Sequence, residues 1–245
     1  MSAFEWLSQM ATGVGLALSG QACPLPPVDP VVIVRPLERP MQSDFTKPSA
    51  ALAQVAQSQI TAPVTGTQAA LGGMMTVELT ADTRVQFGGA DARKGEGACI
   101  WASRVEVDLI LQGTLYVNAM YQPGSCMHDA IAEHELEHYQ QSQQVVLQEL
   151  SSVQRTAMAK VDEIGVVGPM PPEAARQQGK PIGDAITAAV QAEINRLNIQ
   201  QQELHAAHDN AIENLETLTA CREGGGYVHQ APDLQSLIDA VGEDG

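Results

Sequence analysis

The feature that most constrains this chain is the segment 126–141, which contains the motif H-E-L-E-H at positions 134–138. On an α-helix, residues four positions apart lie one above the other on the same face. His134 and His138 can therefore present two imidazole nitrogens to one metal ion. The small and apolar residues around the motif are compatible with such a helix.

Glu135 follows the first histidine of the motif and lies about 100° further around the helix. In that position its carboxylate can contact a metal-bound water instead of the metal. Two neutral nitrogens, a base beside the water and an open position for substrate make up a hydrolytic zinc site. The motif therefore predicts a Zn²⁺ site with His134 and His138 as ligands and Glu135 as the catalytic base.

The composition indicates a secreted or periplasmic protein. Thirteen Lys and Arg residues against 29 Asp and Glu residues give a net charge of −16, which argues against nucleic acid and anionic membranes as partners. The four cysteines are widely spaced and form no C-x-x-C pair, so disulfides in an oxidising compartment are the better interpretation. We expect no transmembrane segment, because no apolar stretch is long enough.

Three regions are expected along the chain. Residues 1–22 contain a short apolar run and are predicted to be an export signal or an N-terminal helix, although the basic residues typical of a signal are missing. Residues 23–73 are rich in proline and are predicted to form an extended arm with one short helix. Residues 74–245 are predicted to form the catalytic domain.

Within that domain the pattern indicates strands followed by helices. Apolar and polar residues alternate over 74–121, and a turn at 112–114 is expected to divide the last part into two strands. Long helices are predicted at 127–164 and 183–220, separated by a break rich in proline and glycine. The predicted fold class is α+β, with a small antiparallel β-sheet packed on a long antiparallel helical hairpin that carries the H-E-x-x-H motif.

A third zinc ligand is required, and the second predicted helix offers candidates at the level of the motif. His138 lies 26 residues before the end of the first predicted helix at 164, and Asp209 lies 26 residues after the start of the second at 183. An antiparallel hairpin therefore brings His138 and Asp209 to the same height. His208 is favoured, because it lies in a heptad-like apolar stripe over 186–218. His205 lies at the edge of the stripe and is the alternative. Asp209 can support a ligand through a hydrogen bond.

The cysteine pairing can be argued in two ways. The expected strand hairpin ends with Cys99 and Cys126 close together, which favours Cys99–Cys126 and leaves Cys23–Cys221 as the second disulfide. Counting along the two helices also places Cys221 level with Cys126, so this pair is the alternative.

The chain resembles the zincin metalloproteases, and more narrowly a group of small secreted or periplasmic bacterial proteins predicted to be Zn-dependent proteases. The resemblance covers about residues 30–150 and is carried by the motif together with Ala70-Leu71-Gly72, Cys99-Ile100-Trp101 and Gly124-Ser125-Cys126. It implies that His134 and His138 bind zinc, that Glu135 is the general base, and that the strand 114–121 binds the substrate peptide.

The chain also departs from the known zincin patterns. Gln141 and Gln144 stand where metzincins have their glycine and third histidine. The spacing from His205 to Asp209 matches that between the helix-borne ligand and the aspartate of gluzincins, which supports His205 over His208 as the third ligand.

The expected function is a zinc-dependent metallopeptidase acting on a peptide or protein substrate. The alternative is a non-catalytic binding or assembly protein with a structural or vestigial zinc site, which contacts a protein partner through the proline-rich arm or the helical hairpin. A di-iron carboxylate bundle is disfavoured, because it requires Glu-x-x-His on two helices and the second helix lacks it.

Overall fold

The computed structural model describes residues 23–59, 72–92, 97–208 and 221. The predicted N-terminal segment 1–22 and Asp209 lie outside the described residues. The elements are, in chain order, β1 (Val31–Glu38), β2 (Gln42–Asp44), α1 (Ser49–Gln59), β3 (Gly73–Asp91), β4 (Ala98–Val117), α2 (Cys126–Ile164), β5 (Val167–Met170) and α3 (Pro172–His208).

β4 is the strand on which the sheet is built, because the other four strands all pair with it. β2 runs parallel to β4, with Gln42 opposite Thr114. β5 runs antiparallel to β4, with Ala98 opposite Met170. The protein therefore combines helices with a mixed five-stranded sheet, and the expectation of a purely antiparallel sheet is wrong. β1 and β2 belong to the proline-rich segment 23–73, so part of the expected arm is integrated into the sheet.

β4 continues without a break through the predicted turn at 112–114. Gly113 is instead a residue of the strand interior that lies against Tyr139 of α2. A Cβ atom built on Gly113 would lie 2.6 Å from Cδ2 of the Tyr139 ring. A glycine inside a strand often marks such a close approach, so its function here is to admit the aromatic ring.

The disulfides are Cys23–Cys99 and Cys126–Cys221. The prediction that the cysteines form disulfides is confirmed, but the favoured pairing of Cys99 with Cys126 and of Cys23 with Cys221 is wrong. The error follows from the turn, because an unbroken β4 does not bring the chain back from Cys126 towards Cys99. The alternative pair from the helix counting, Cys126–Cys221, is the one present.

α3 begins at Pro172, eleven residues before the predicted start of the second helix. Residues 172–182 are therefore helical, contrary to the predicted break. Proline is compatible with the first turn of a helix, where its missing N–H has no intrahelical partner. Pro181 lies inside the helix, so the sequence rule that proline ends a helix fails at this position.

The buried stripe of α3 repeats every eleven residues, not every seven. Gln201 continues this stripe with 3% exposure, whereas Leu204, seven residues after Leu197, is 42% exposed. Eleven residues in three turns come close to the 3.6 residues per turn of a straight helix. The heptad assignment therefore fails at Leu204, the stripe leads instead to His205 and His208, and the stripe positions after 208 lie outside the described residues. The apolar residues that begin it are fully buried: Ile186, Val190, Ile194 and Leu197.

The described chain divides into two compact units. One takes its residues from the segments up to Val34, Thr83–Val107 and Ser152–Gln191. The other takes its residues from Arg35–Asp82, Asp108–Ser151 and the segment that begins at Ala192. The motif residues and the histidines of α3 all belong to the second unit.

Replacing Gly113 by alanine is expected to lower the free energy of unfolding by about 1–3 kcal/mol, because the added methyl group overlaps the Tyr139 ring. Urea unfolding of the oxidised protein measures the loss. In a Tyr139→Leu background the same substitution should cost less than half as much. Equal losses in the two backgrounds would show that the ring is not what constrains position 113.

Proteolysis without reductant, followed by mass spectrometry, should recover one peptide pair containing Cys23 and Cys99 and another containing Cys126 and Cys221. Each disulfide closes a long loop, with separations of 76 and 95 residues. Reduction should therefore lower the stability by several kcal/mol in total, on the order of 2–4 kcal/mol for each bond. Recovery of Cys99 linked to Cys126 would contradict the structure.

Candidate metal centre

The motif lies where polar residues interrupt a buried stripe of α2. Ile131, Glu135, His138 and Ser142 follow one another at spacings of three or four residues, and none is more than 8% exposed. This spacing places all four side chains on one face of the helix. Three successive polar residues on a buried face require polar partners, because an unsatisfied buried group is costly.

α3 contacts α2 at three levels and supplies a partner for one of these residues, Ser142. As residue numbers rise along α2 they fall along α3, in the pairs Glu137–His208, Ser142–His205 and Glu149–Arg196. His205 and His208 thus lie at the level of His138, which is where the helix counting predicts them.

Three imidazole rings from the two helices lie close together. The ring centroids of His134 and His138 are 5.0 Å apart, and those of His138 and His208 are also 5.0 Å apart. The rings of His134 and His208 are stacked, with a centroid distance of 5.4 Å. The motif histidines and the favoured third ligand therefore form one cluster.

A carboxylate lies with two of these rings, and the group of converging ligand atoms does not include His138. His134, Glu137 and His208 each offer one ligand atom, and these atoms lie within 4.8 Å of one another. Nε2 of His208 is 3.1 Å from Oε2 of Glu137. Two ligands of a tetrahedral ion with bonds of about 2.0–2.1 Å lie roughly 3.3 Å apart. These residues could therefore hold a metal ion. Sequence reasoning did not name Glu137 as a ligand, although its position three residues after His134 puts it on a neighbouring part of the helix face.

His205 has a different environment from His208. Its Nε2 lies 3.0 Å from the backbone carbonyl oxygen of His138 and 2.9 Å from Oγ of Ser142. Ser142 Oγ also donates to the same carbonyl, at 3.1 Å. A carbonyl only accepts hydrogen bonds, so Nε2 of His205 must carry its proton to donate to it, and a protonated nitrogen does not bind a metal. His208 belongs to the group of converging ligand atoms and His205 does not, which favours His208 as the ligand, whereas His205 holds the backbone carbonyl of His138.

Glu135 is 8% exposed and lies where β3 approaches α2. A Cβ atom built on Gly73, the first residue of β3, would lie 2.4 Å from Cγ2 of Ile131 and 3.2 Å from Cγ of Glu135. Glycine at position 73 therefore lets the strand lie against the helix next to the carboxylate.

Tyr139 directly follows His138 on α2. Burial, and after it the charge of Glu38, raises the pKa of the Tyr139 phenol, so the phenol stays protonated at neutral pH.

Comparison of the chain with family models, with curated proteins and with solved structures finds no match. None of the helices in the described ranges has the length and apolar character needed to span a membrane.

Substituting the two histidines of α3 should separate a ligand from a positioning residue. We expect wild-type protein purified without chelator to contain one divalent metal ion per chain, and His208→Ala to retain less than a tenth of it. His205→Ala should still bind metal, with an affinity reduced about 10- to 100-fold, as for loss of a residue that orients a ligand. Elemental analysis and chelator competition measure both quantities. Loss of the metal in His205→Ala but not in His208→Ala would reverse the assignment.

Proposed function

We propose that this protein is a zinc-dependent metallopeptidase in which His134, His138 and His208 hold the metal and Glu135 is the general base. The observation that supports it most is the cluster of three imidazole rings from two helices, together with a buried carboxylate one residue after His134. Imidazole nitrogens are the usual ligands of catalytic zinc. The proposal includes the fold expected from the sequence, in which an antiparallel helical hairpin packs against a small sheet.

A bound zinc ion would lower the pKa of water and polarise the scissile carbonyl. Glu135 accepts a proton from the water whose oxygen adds to the carbonyl carbon, and it delivers that proton to the amine nitrogen as the C–N bond breaks. His205 and Ser142 hold the backbone carbonyl of His138, which keeps this ligand at a fixed height on α2. The chain's own residues thus position the ligands and move the proton.

The expected substrate strand at 114–121 ends at Val117, and its first three residues are not a free edge. Residues 114–116 of β4 pair with β2, and β3 pairs with β4 as well. A peptide cannot be added to a strand whose backbone groups are already occupied. Any substrate must therefore bind at another surface of the same unit.

The compartment expected for this function is periplasmic or extracellular. Two disulfides fit an oxidising environment, since intracellular reductants keep most thiols reduced. Zinc acquisition and peptide hydrolysis are both compatible with that environment.

A second function is supported by one specific contact. Glu137, 3.1 Å from His208, is one of the three residues whose ligand atoms converge, and with His138 added, four protein ligands would close a zinc site to water. The protein would then be a non-catalytic binding or assembly protein with a structural metal. X-ray absorption spectroscopy of the zinc form distinguishes the two, because an open site retains a bound water and a closed site does not.

Glu135→Gln should abolish peptide hydrolysis while leaving the zinc content unchanged. Removing a general base lowers kcat by about 10²- to 10⁴-fold. The assay is cleavage of a mixed peptide library by the oxidised protein, followed by mass spectrometry. Glu133→Gln, on the same helix two residues earlier, is the matched control and should retain wild-type activity. Hydrolysis that persists in Glu135→Gln would rule out this carboxylate as the base.

A further inference from the structure

A cleft of about 390 Å³ lies in the same unit as the histidine cluster, between β3, β4 and α3. His205 is one of its lining residues. The centroid of the His205 ring is 4.8 Å from that of His138. The cleft therefore adjoins the proposed metal ligands, on the side of α3.

The lining is dominated by neutral side chains that form hydrogen bonds. A carboxamide offers both a donor and an acceptor, which is also what a peptide group offers. Val77 adds an apolar contact, and Glu78 contributes a carboxylate. The neutral polar residues are two hydroxyls and four carboxamides: Thr76, Thr114, Gln112, Asn198, Gln201 and Gln202.

Gln201 has a particular place among these residues. It is 3% exposed, and its Nε2 has no hydrogen-bond acceptor within the described part of the chain. Leaving a buried donor without an acceptor is unfavourable. An apolar residue at this position of the α3 stripe would pack without that cost. Because Gln201 lines the cleft, a ligand acceptor that reaches this buried amide from the cleft would remove the cost.

We propose that this cleft binds an extended, uncharged peptide segment, with Nε2 of Gln201 donating to a main-chain carbonyl of that segment. The identity of the ligand as a peptide rests on the proposed function, because the cleft adjoins the cluster that would cleave it. A peptide presents a carbonyl at every residue, and the carboxamides and hydroxyls around Gln201 match its alternating donors and acceptors. The substrate class is thus a peptide with neutral polar side chains.

Charge determines which peptides fit. Glu78 is exposed at the cleft, and the whole chain carries a net charge of −16. Both repel acidic peptides, so a carboxylate on the bound segment lowers the affinity. Neutral amide side chains experience no such repulsion.

The test measures binding apart from catalysis, by fluorescence anisotropy with the full-length Glu135→Gln protein at 150 mM salt. The ligands are acetylated and amidated octapeptides of alternating Ala and Gln, with a matched Ala/Glu peptide and a neutral oligosaccharide. Gln201→Met and Thr114→Val alter the cleft, and circular dichroism checks their folding. Gln148→Leu, an exposed glutamine of α2 that is not part of the cleft lining, is the matched control.

We expect saturable binding of the Ala/Gln peptide, weakened about 3- to 10-fold by either cleft variant and unchanged in the control. The Ala/Glu peptide should bind about 3- to 10-fold more weakly than Ala/Gln, and Glu78→Gln should narrow the difference. Equal affinities in both cleft variants and the control, or binding of the oligosaccharide alone, would overturn the proposal.

Zinc content and hydrolysis are measured on the wild-type protein in parallel. Binding that depends on Gln201 without any hydrolysis would support the cleft assignment and reject the peptidase. Hydrolysis together with a peptide affinity that does not depend on Gln201 would support the peptidase and reject the cleft assignment.

Discussion

The contact of Ser142 and His205 with the backbone carbonyl of His138 determines how α2 and α3 meet. It is a polar contact within a buried seam, where hydrogen bonds are strong and a missing partner is costly. Sliding one helix by a turn, about 5.4 Å, would break it and would also separate His208 from Glu137. Apolar packing alone tolerates several registers, whereas this network accepts one. The position of every imidazole in the cluster therefore depends on the network, which is why we treat Ser142 and His205 as part of the site.

Sequence reasoning located the motif helix and the level of the α3 histidines because both depend on helical periodicity. The height of these histidines relative to His138 is as counted although α3 begins eleven residues earlier than predicted. This height depends on which residues of α2 and α3 face each other and not on where α3 starts. The turn at 112–114 failed for a different reason. A glycine in an alternating pattern is typical of a turn, and only the ring of Tyr139, distant in sequence, shows that Gly113 belongs to a continuous strand. The wrong disulfide pairing followed from that single error.

Glu137 is the residue on which the choice between an enzyme and a structural metal site depends. As a hydrogen-bond acceptor for His208 it would fix the orientation of this ligand, leave a position open for water, and so permit hydrolysis. As a ligand it would fill that position and make the site inert. Its 3.1 Å distance from Nε2 of His208 is compatible with both states, so the number of protein ligands on a bound metal decides the function.

The buried stripes of the two helices contain polar residues at positions where apolar ones would stabilise the fold more. On α2 these are His128, Glu135, His138 and Ser142, and on α3 the stripe reaches Gln201 before His205. A chain that needed only a stable helical pair would fill these positions with Leu or Ile, as α3 does from Ile186 to Leu197. Departures from local packing rules are expected at functional sites. Three of the α2 residues, Glu135, His138 and Ser142, lie within about two turns of the helix, at the level where His205 of α3 contacts Ser142 and lines the cleft. This concentration argues that the histidine cluster and the Gln201 cleft belong to one site.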